Sequence, residues 1–234
     1  MKTLKLSNPK NTKIIAHRGL SGIHLENTMS AFKAAGKRNY YGIETDVHVT
    51  ADGNFVVFHD DTTGRIARID LKVEDTSYLR LRLLPLGLHR MPNLYEYIRC
   101  CKSYNKHSII ELKNPMTREN IKRLIGIIDR LKYLDNTVFI SFSGKNLEYI
   151  REFLPNQTVQ FLHEKFDDNI LGYLIKNRFD FDINYLALDK KTVDICHDNG
   201  IKVNCWTVDS PEVAERLIDY GVDYITTNII EISY

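Results

Sequence analysis

The sequence predicts an α/β protein made of a single TIM-like (β/α)8 barrel, with a small insertion after strand 2 at about residues 60–92. Short runs of β-branched and aromatic residues alternate with helix-period stretches along the whole chain. No linker rich in Gly, Ser or Pro and no low-complexity tract divides the chain, so residues 1–234 are predicted to form one domain. The length of 234 residues also suits a single barrel, which commonly has roughly 200–250.

Eight candidate strands follow in order along the chain. They are Lys13–Ala16, Gly42–Val49, Ser108–Leu112, Val138–Ser141, Thr158–Phe161, Tyr185–Leu188, Lys202–Thr207 and Tyr224–Thr226. Eight strands alternating with helices are what a closed parallel barrel needs. The competing fold is an open doubly wound sheet, which usually has a glycine-rich turn after its first strand. The residues that follow the first strand here, His17-Arg18-Gly19-Leu20, are not such a turn.

Helices are predicted between the strands. They lie near 28–38, 93–104, 117–132, 144–153, 167–177, 191–199 and 211–219. Several begin with a capping residue, such as Thr28, Thr117 or Ser210. Gly200 and Gly221 each follow a helix, where a terminating glycine is expected.

Two features interrupt the repeat. Asn54–His59 predicts an extra strand, joined to the second strand by the turn at 50–53 and followed by the insertion. The chain then ends eight residues after Thr226, so an eighth outer helix is expected to be missing or very short.

The composition gives no indication of a nucleic-acid or membrane partner. The formal charge of +2 does not call for nucleic acid or an acidic membrane. The N-terminal residues lack an apolar run long enough for a signal peptide or membrane span, so we expect a cytoplasmic protein without stable membrane insertion. Four cysteines without metal-type spacing are expected to be reduced thiols. Nothing in the sequence indicates the oligomeric state.

Three carboxylates are predicted to meet at the barrel mouth, where the carboxyl ends of the strands carry the reacting groups. Glu44 and Asp46 are two residues apart and share one face of the second strand, and Glu111 ends the third strand. Such a trio would repel strongly unless a cation lay between its members. Oxygen-only ligands favour Mg²⁺, Ca²⁺ or Mn²⁺ over zinc.

Two positively charged side chains are expected at the same mouth of the barrel. Arg18 and Lys113 are candidates to bind the anionic oxygens of a phosphate group, Arg as a fork and Lys as a point charge. The structural alternatives are that Arg18 braces Glu26 and that Lys113 only pairs with Glu111.

Two histidines, His17 and His59, are predicted to join the site. Imidazole titrates near neutrality, so one ring can take a proton from a nucleophile while the other gives one to a leaving oxygen. A metal, two cations and an acid/base pair are the parts that phosphodiester cleavage needs. Trp206 ends the seventh strand and is a candidate wall for a bound glycerol or alcohol, with ordinary barrel packing as the alternative.

Ordered motifs make the chain resemble the glycerophosphodiester phosphodiesterase family from about Lys13 to Asn228. They are Ile15-Ala16-His17-Arg18-Gly19, Leu25-Glu26-Asn27-Thr28, Gly42-Ile43-Glu44-Thr45-Asp46-Val47, Val56-Val57-Phe58-His59-Asp60, Glu111-Leu112-Lys113, Cys205-Trp206-Thr207-Val208 and Gly221-Val222-Asp223-Tyr224-Ile225-Thr226-Thr227-Asn228. Two positions depart from the pattern. Asn228 replaces a common Asp, and Thr62-Thr63-Gly64-Arg65 is a loose version of the usual stretch after the second His.

The resemblance implies that His17 and His59 are the catalytic pair and that Glu44, Asp46 and Glu111 bind one divalent ion, usually Mg²⁺ or Ca²⁺. It implies hydrolysis of small glycerophosphodiesters, such as glycerophosphocholine or glycerophosphoethanolamine, to an alcohol and sn-glycerol 3-phosphate. The sequence does not say which His is the acid, nor whether water or the glycerol 2-hydroxyl is the nucleophile.

Two rival functions remain. A lysophospholipase D-like activity predicts an apolar, membrane-facing rim, and the insertion holds Leu79, Leu81, Leu83, Leu84, Leu86 and Leu88, although core packing would explain these leucines equally well. A non-catalytic barrel that binds a phosphorylated ligand is the other rival. It is weakened because every expected acid, base and ligand is present.

Overall fold

The computed structural model describes residues 2–233. Its strands are β1 (Leu4–Leu6), β2 (Lys13–Ala16), β3 (Gly42–Val49), β4 (Phe55–Val57), β5 (Pro85–Leu86), β6 (His89–Arg90), β7 (His107–Leu112), β8 (Thr137–Ser141), β9 (Val159–His163), β10 (Asp180–Asn184), β11 (Val203–Trp206), β12 (Tyr224–Thr227) and β13 (Ile230–Ile232). Its α-helices are α1 (Met29–Gly36), α2 (Tyr78–Leu83), α3 (Leu94–Ser103), α4 (Arg118–Arg130), α5 (Gly144–Phe153), α6 (Asp168–Asn177), α7 (Lys190–Asp198) and α8 (Pro211–Tyr220).

Eight parallel strands close the predicted barrel. Their order is β2-β12-β11-β10-β9-β8-β7-β3, and β3 returns to pair with β2. The extra strand β4 runs antiparallel to β3. The main apolar cluster lies between the strands and the helices, and a smaller one that includes Ile140 and Leu162 lies inside the barrel.

Local signals position the helices as predicted. The hydroxyls of Thr28, Thr117 and Ser210 each accept a backbone N–H from the first turn of α1, α4 and α8. Gly221 ends α8 in the left-handed region at φ 93°, which is why glycine suits this position. The four cysteines are buried and free, as expected.

The predicted sixth strand, Tyr185–Leu188, is wrong. Strand six is β10, and the residues after it form a 3-10 turn at Tyr185–Ala187. In β10 the apolar Phe181 and Ile183 pack in the main core, while the intervening Asp182 is buried and contacts Asn204 of β11. An acidic residue within a strand lowers its apparent strand character, and the turn that follows is richer in apolar residues.

β1 and β13 cover the side of the barrel where, within residues 2–233, no outer helix follows β12. β13 pairs in parallel with β1, a strand that the sequence analysis did not predict. This pair contacts α8 and β2, and Leu6 and Ile230 bury their side chains in the main core. Two short strands therefore cover the flank that an outer helix covers elsewhere.

The segment 60–92 packs on the hairpin of β3 and β4 at the carboxyl-end face. The backbone N–H of Tyr78 donates to Asp52 in the hairpin turn. Of the six leucines between residues 79 and 88, Leu81, Leu84 and Leu86 are buried with Val56 and Phe58 of the β4 region. Leu79, Leu83 and Leu88 are exposed. Within residues 2–233, none of the helices combines the length and apolar character needed to cross a bilayer.

Candidate active site

The predicted site residues come together at one mouth of the barrel. A cavity of about 120 Å³ is lined by seven of the eight, namely His17, Arg18, Glu44, His59, Glu111, Lys113 and Trp206. The eighth, Asp46, is buried beside them and lies 3.5 Å from both Arg18 Nε and Lys113 Nζ. These side chains belong to β3, β7 and β11 or come directly after β2, β4 and β7, so the closed sheet brings them together.

The three acids form a compact cluster. One carboxylate oxygen from each of Glu44, Asp46 and Glu111 lies within 4.8 Å of the others. The amide of Asn27 donates to Asp46 Oδ2 at 2.7 Å, while Asp46 Oδ1 has no hydrogen-bond partner within residues 2–233. A buried, unpartnered carboxylate oxygen next to two further acids is the donor set that a hard divalent cation requires.

Without a cation, the three acids do not all ionise. Burial and the neighbouring Asp46 raise the pKa of Glu44 well above its usual range and that of Glu111 to about 7. Burial also opposes ionisation of Asp46, but Lys113 and Arg18 outweigh it and lower its pKa to about 2. Asp46 is therefore the acid that ionises most readily, and a bound divalent cation would favour loss of the proton from Glu44 and Glu111.

The positively charged residues Arg18 and Lys113 each donate hydrogen bonds to acidic residues and also line the cavity. Arg18 Nη1 donates to Glu26 at 3.0 Å, and the Arg18 backbone N–H donates to Glu44 at 2.7 Å. Lys113 Nζ donates to Glu111 at 2.9 Å. Both structural pairings weighed from the sequence are thus present, and they hold the two positive groups at the cavity wall.

His17 is oriented by an amide. Its Nδ1 lies 2.8 Å from Asn228 Oδ1, while Asn228 Nδ2 donates to Asp209 Oδ2 at 2.6 Å. Because Asp209 accepts from the amide nitrogen, the amide oxygen faces His17, and the proton of a neutral ring is assigned to Nδ1. Burial, followed by the charge of Arg18, lowers the pKa of His17 to about 4. Its Nε2 is 4.0 Å from Glu44.

His59 is oriented by a carboxylate. Its Nδ1 lies 2.6 Å from Asp60, and Asp60 is held in turn by Arg65 Nε at 2.5 Å. Burial lowers the pKa of His59, although the nearby Asp46 opposes the shift. Neither His17 Nε2 nor His59 Nε2 makes a hydrogen bond within the described residues, so both nitrogens are available to a ligand.

The opposite wall of the cavity is mainly apolar. Trp206 meets Phe142 edge-on with ring centroids 5.7 Å apart, and Ile140 and Leu162 line the interior beside them. Asp182 is the one acid on this wall. The sequence analysis did not name Asp182 as a site residue because it misplaced strand six. It also did not identify Asp209, since no local motif indicates that Asp209 binds Asn228.

Known proteins share this fold and sequence. A family model for the glycerophosphoryl diester phosphodiesterase family matches residues 17–232. A glycerophosphodiester phosphodiesterase of Caldanaerobacter subterraneus subsp. tengcongensis is 30% identical over 231 residues, which cover 93% of this chain and 94% of the relative. The crystal structure of a glycerophosphodiester phosphodiesterase from Parabacteroides distasonis is 30% identical, has a TM-score of 0.83 and covers 97% of this chain and 94% of that chain. The human protein named lysophospholipase D GDPD1 is 40% identical over 101 residues, which cover 43% of this chain and 31% of the human protein.

Proposed function

The chain belongs to the glycerophosphoryl diester phosphodiesterase family, and from that premise we propose that it hydrolyses small glycerophosphodiesters with the help of one divalent cation. The products are an alcohol and sn-glycerol 3-phosphate, and glycerophosphocholine and glycerophosphoethanolamine are suitable substrates. The observation that carries this proposal is the cluster of Glu44, Asp46 and Glu111 beside two imidazoles at one cavity. The four buried free thiols suit a reducing compartment, so we propose the cytoplasm as its location.

The acid cluster is proposed to hold Mg²⁺ or Ca²⁺, with Mn²⁺ as a further hard ion that oxygen ligands accept. Such an ion, when bound, neutralises phosphate charge. Arg18 and Lys113 bind the remaining phosphate oxygens and stabilise the charge that builds up on them.

The histidines are proposed to move the protons. One imidazole takes a proton from the nucleophile, and the other gives one to the departing alcohol oxygen. His17 suits the accepting role because its lowered pKa of about 4 keeps the ring neutral at physiological pH. The nucleophile is water or the glycerol 2-hydroxyl. Appearance of a transient cyclic glycerophosphate would identify the hydroxyl.

A metal-by-substrate activity panel tests the function. Purified protein is incubated with Mg²⁺, Ca²⁺, Mn²⁺ or chelator, each against several glycerophosphodiesters, and release of glycerol 3-phosphate is measured. We expect turnover that chelator abolishes and a divalent ion restores. Absence of product under every condition would favour a non-catalytic phosphate-binding barrel instead.

Substitution of the histidines tests their proposed roles. H17A and H59A should each lower kcat by about 10²–10⁴-fold. The matched control is H197A, because His197 is partly exposed and pairs with Asp223, and neither residue lines the cavity. Circular dichroism should show an intact fold in all three. Near-normal turnover in H17A or H59A would remove that residue from the chemistry.

A second candidate is lysophospholipase D-like cleavage of lipids that keep an acyl chain. It is favoured by Leu79 and Leu83, which are 66% and 74% exposed on one side of α2, by the exposed Leu88, and by the similarity to the human lysophospholipase D. Turnover of glycerophosphocholine and lysophosphatidylcholine is compared in wild type and in an L79S/L83S/L88S variant. Loss of lysolipid turnover alone would support this candidate, and equal rates in both proteins would reject it.

A further inference from the structure

Asp182 lies across the barrel axis from the acid cluster. Its strand, β10, is four positions from β3 in either direction around the closed sheet. The side chain is 1% exposed and lines the same cavity as Glu44 and Glu111. A ligand whose phosphate lies at the acid cluster would therefore extend a substituent toward Asp182.

One oxygen of Asp182 is fixed and the other is free. Asn204 Nδ2 donates to Asp182 Oδ2 at 3.1 Å and also to Gln160 Oε1 at 3.1 Å, while Thr226 Oγ1 donates to Asn204 Oδ1 at 3.2 Å. These hydrogen bonds hold the Asp182 carboxyl group in place through Oδ2. Asp182 Oδ1 has no partner within residues 2–233. Leaving a buried polar atom without a hydrogen bond is unfavourable, so a ligand that supplied this bond would bind more tightly.

The surroundings of Asp182 select the kind of ligand group. Burial and, next, the charge of Glu111 raise the pKa of Asp182 well above its usual range. A neutral carboxyl group donates one hydrogen bond and accepts others, which matches an alcohol hydroxyl better than an ammonium ion. The neighbouring cavity walls are Trp206, Ile140 and Leu162, which suit a short carbon chain.

We infer that Asp182 is a specificity-determining residue that hydrogen-bonds a hydroxyl of the substrate's glycerol unit. The inference rests on the proposed function, because the acid cluster must hold the phosphate for the glycerol carbons to reach the opposite wall. It also identifies the glycerol, rather than the departing alcohol, as the group that enters the barrel interior.

The test combines a variant with a matched pair of substrates. D182L and D182N are assayed with glycerophosphocholine, with its analogue that lacks the terminal glycerol hydroxyl, and with bis(p-nitrophenyl) phosphate, which has no glycerol. Wild type should lose roughly 10- to 100-fold in kcat/KM when the hydroxyl is removed. D182L should lose a similar factor on glycerophosphocholine but little more on the analogue. D182N, which keeps a hydrogen-bonding side chain of the same shape, should remain close to wild type on glycerophosphocholine.

Bis(p-nitrophenyl) phosphate separates recognition from folding. We expect D182L to lose far less activity on it than on glycerophosphocholine, whereas a merely structural defect would lower turnover of all three substrates by a similar factor and overturn the inference. A loss in both D182L and D182N that is confined to substrates with a cationic headgroup would also overturn it, because the partner would then be an ammonium group. The comparison of the two substrates in wild type needs no variant to fold.

Failure of the inference is distinguishable from failure of the function. If wild type hydrolyses none of these glycerophosphodiesters, the proposed function is wrong and Asp182 loses its role with it. If wild type hydrolyses them and D182L does so equally well, only the assignment of Asp182 is wrong.

Discussion

Asn228 stands where a carboxylate is common in the family that this chain resembles, and its amide has two consequences for His17. The amide oxygen accepts from His17 Nδ1 and from Ser21 Oγ, while the amide nitrogen donates to Asp209. The ring is therefore oriented without a formal negative charge in direct contact. Burial lowers the pKa of His17 to about 4, because no carboxylate bonds to Nδ1 to oppose this shift.

Replacement of Asn228 by Asp should raise that pKa. A carboxylate next to an imidazolium raises its pKa by roughly 1–3 units. Since only neutral His17 accepts a proton, activity falls as pH falls through its pKa, and a higher pKa moves this acidic limb upward. At a divalent cation concentration that stays saturating across the pH range, kcat/KM for N228D should therefore be lost at a higher pH than in wild type. S21A is the control, because it removes the other donor to Asn228 without adding charge. An unmoved limb would mean that His17 does not titrate in the catalytic step.

The acid cluster predicts pH-dependent metal binding. Burial and Asp46 raise the pKa of Glu111 to about 7 and raise that of Glu44 as well, so protons must leave both groups when an ion binds. Affinity for Mg²⁺ or Ca²⁺ should rise with pH and weaken as pH falls through about 7, by about tenfold per pH unit for each proton released. Calorimetry in two buffers of different ionisation enthalpy measures this release.

Two variants calibrate the metal experiment. E111Q should bind the ion more weakly and with a flatter dependence on pH, because it removes both a ligand and a titrating proton. E148Q is the control, since Glu148 forms a surface pair with Lys145 and should not affect the affinity. Proton release equal in wild type and E111Q would contradict the assignment of Glu111.

Residue types at the strand ends were predictable, but their partners were not. His17, Glu44, Asp46 and Glu111 follow β-branched runs, so their convergence follows from the barrel alone. The contacts that tune them connect distant parts of the chain, as between Asn228 and His17, which are 211 residues apart. No local pattern carries such information.

At the scale of elements, runs of β-branched and aromatic residues located most of the barrel strands. β2 and β3 have the predicted bounds, and both are almost wholly buried. β10 was missed because polar residues alternate with Phe181 and Ile183 along this short strand, whereas the turn that follows it is more apolar. The pairing of β1 with β13 joins the two ends of the chain and has no sequence signal.

The loop between β2 and α1 depends on one glycine. Gly19 has φ +78°, and a Cβ there would lie 2.7 Å from the backbone carbonyl carbon of Ala31. G19A should therefore lower the free energy of unfolding by more than about 1 kcal/mol. It should also shift His17 and Arg18, and a displacement of about 1 Å costs about 10²-fold in rate. Urea denaturation and steady-state kinetics measure the two effects.

Gly126 provides the matched control for that substitution. It lies inside α4, and a Cβ there would meet no atom within 4 Å. G126A should stabilise the protein by up to about 1 kcal/mol, because alanine is the better helix former, and should leave turnover unchanged. If G19A were as stable and as active as G126A, the loop would not need glycine at this left-handed position.

At the scale of the whole molecule, burial of three neighbouring acids lowers the stability of the barrel. Glu44 and Asp46 are almost fully buried and Glu111 is partly so, and each raises the cost of ionising its neighbours. Lys113 and Arg18 offset part of this cost at Asp46. A divalent cation would relieve the part of this cost that Lys113 and Arg18 do not offset. The acids lie close together only in the folded protein, so the cation is expected to bind the folded protein and not the unfolded chain.

Divalent cations should therefore raise the melting temperature. A ligand present at 100 times its Kd stabilises the native state by about 2.7 kcal/mol, which corresponds to roughly 5–11 °C for a chain of this size. Differential scanning calorimetry with Mg²⁺ or Ca²⁺ measures the shift, and NaCl at matched ionic strength is the control for screening. E44Q and E111Q should each lose most of the shift, because each variant removes one carboxylate ligand. An undiminished shift in both variants would place the ion elsewhere, because an ion bound by these three acids cannot be indifferent to the loss of one.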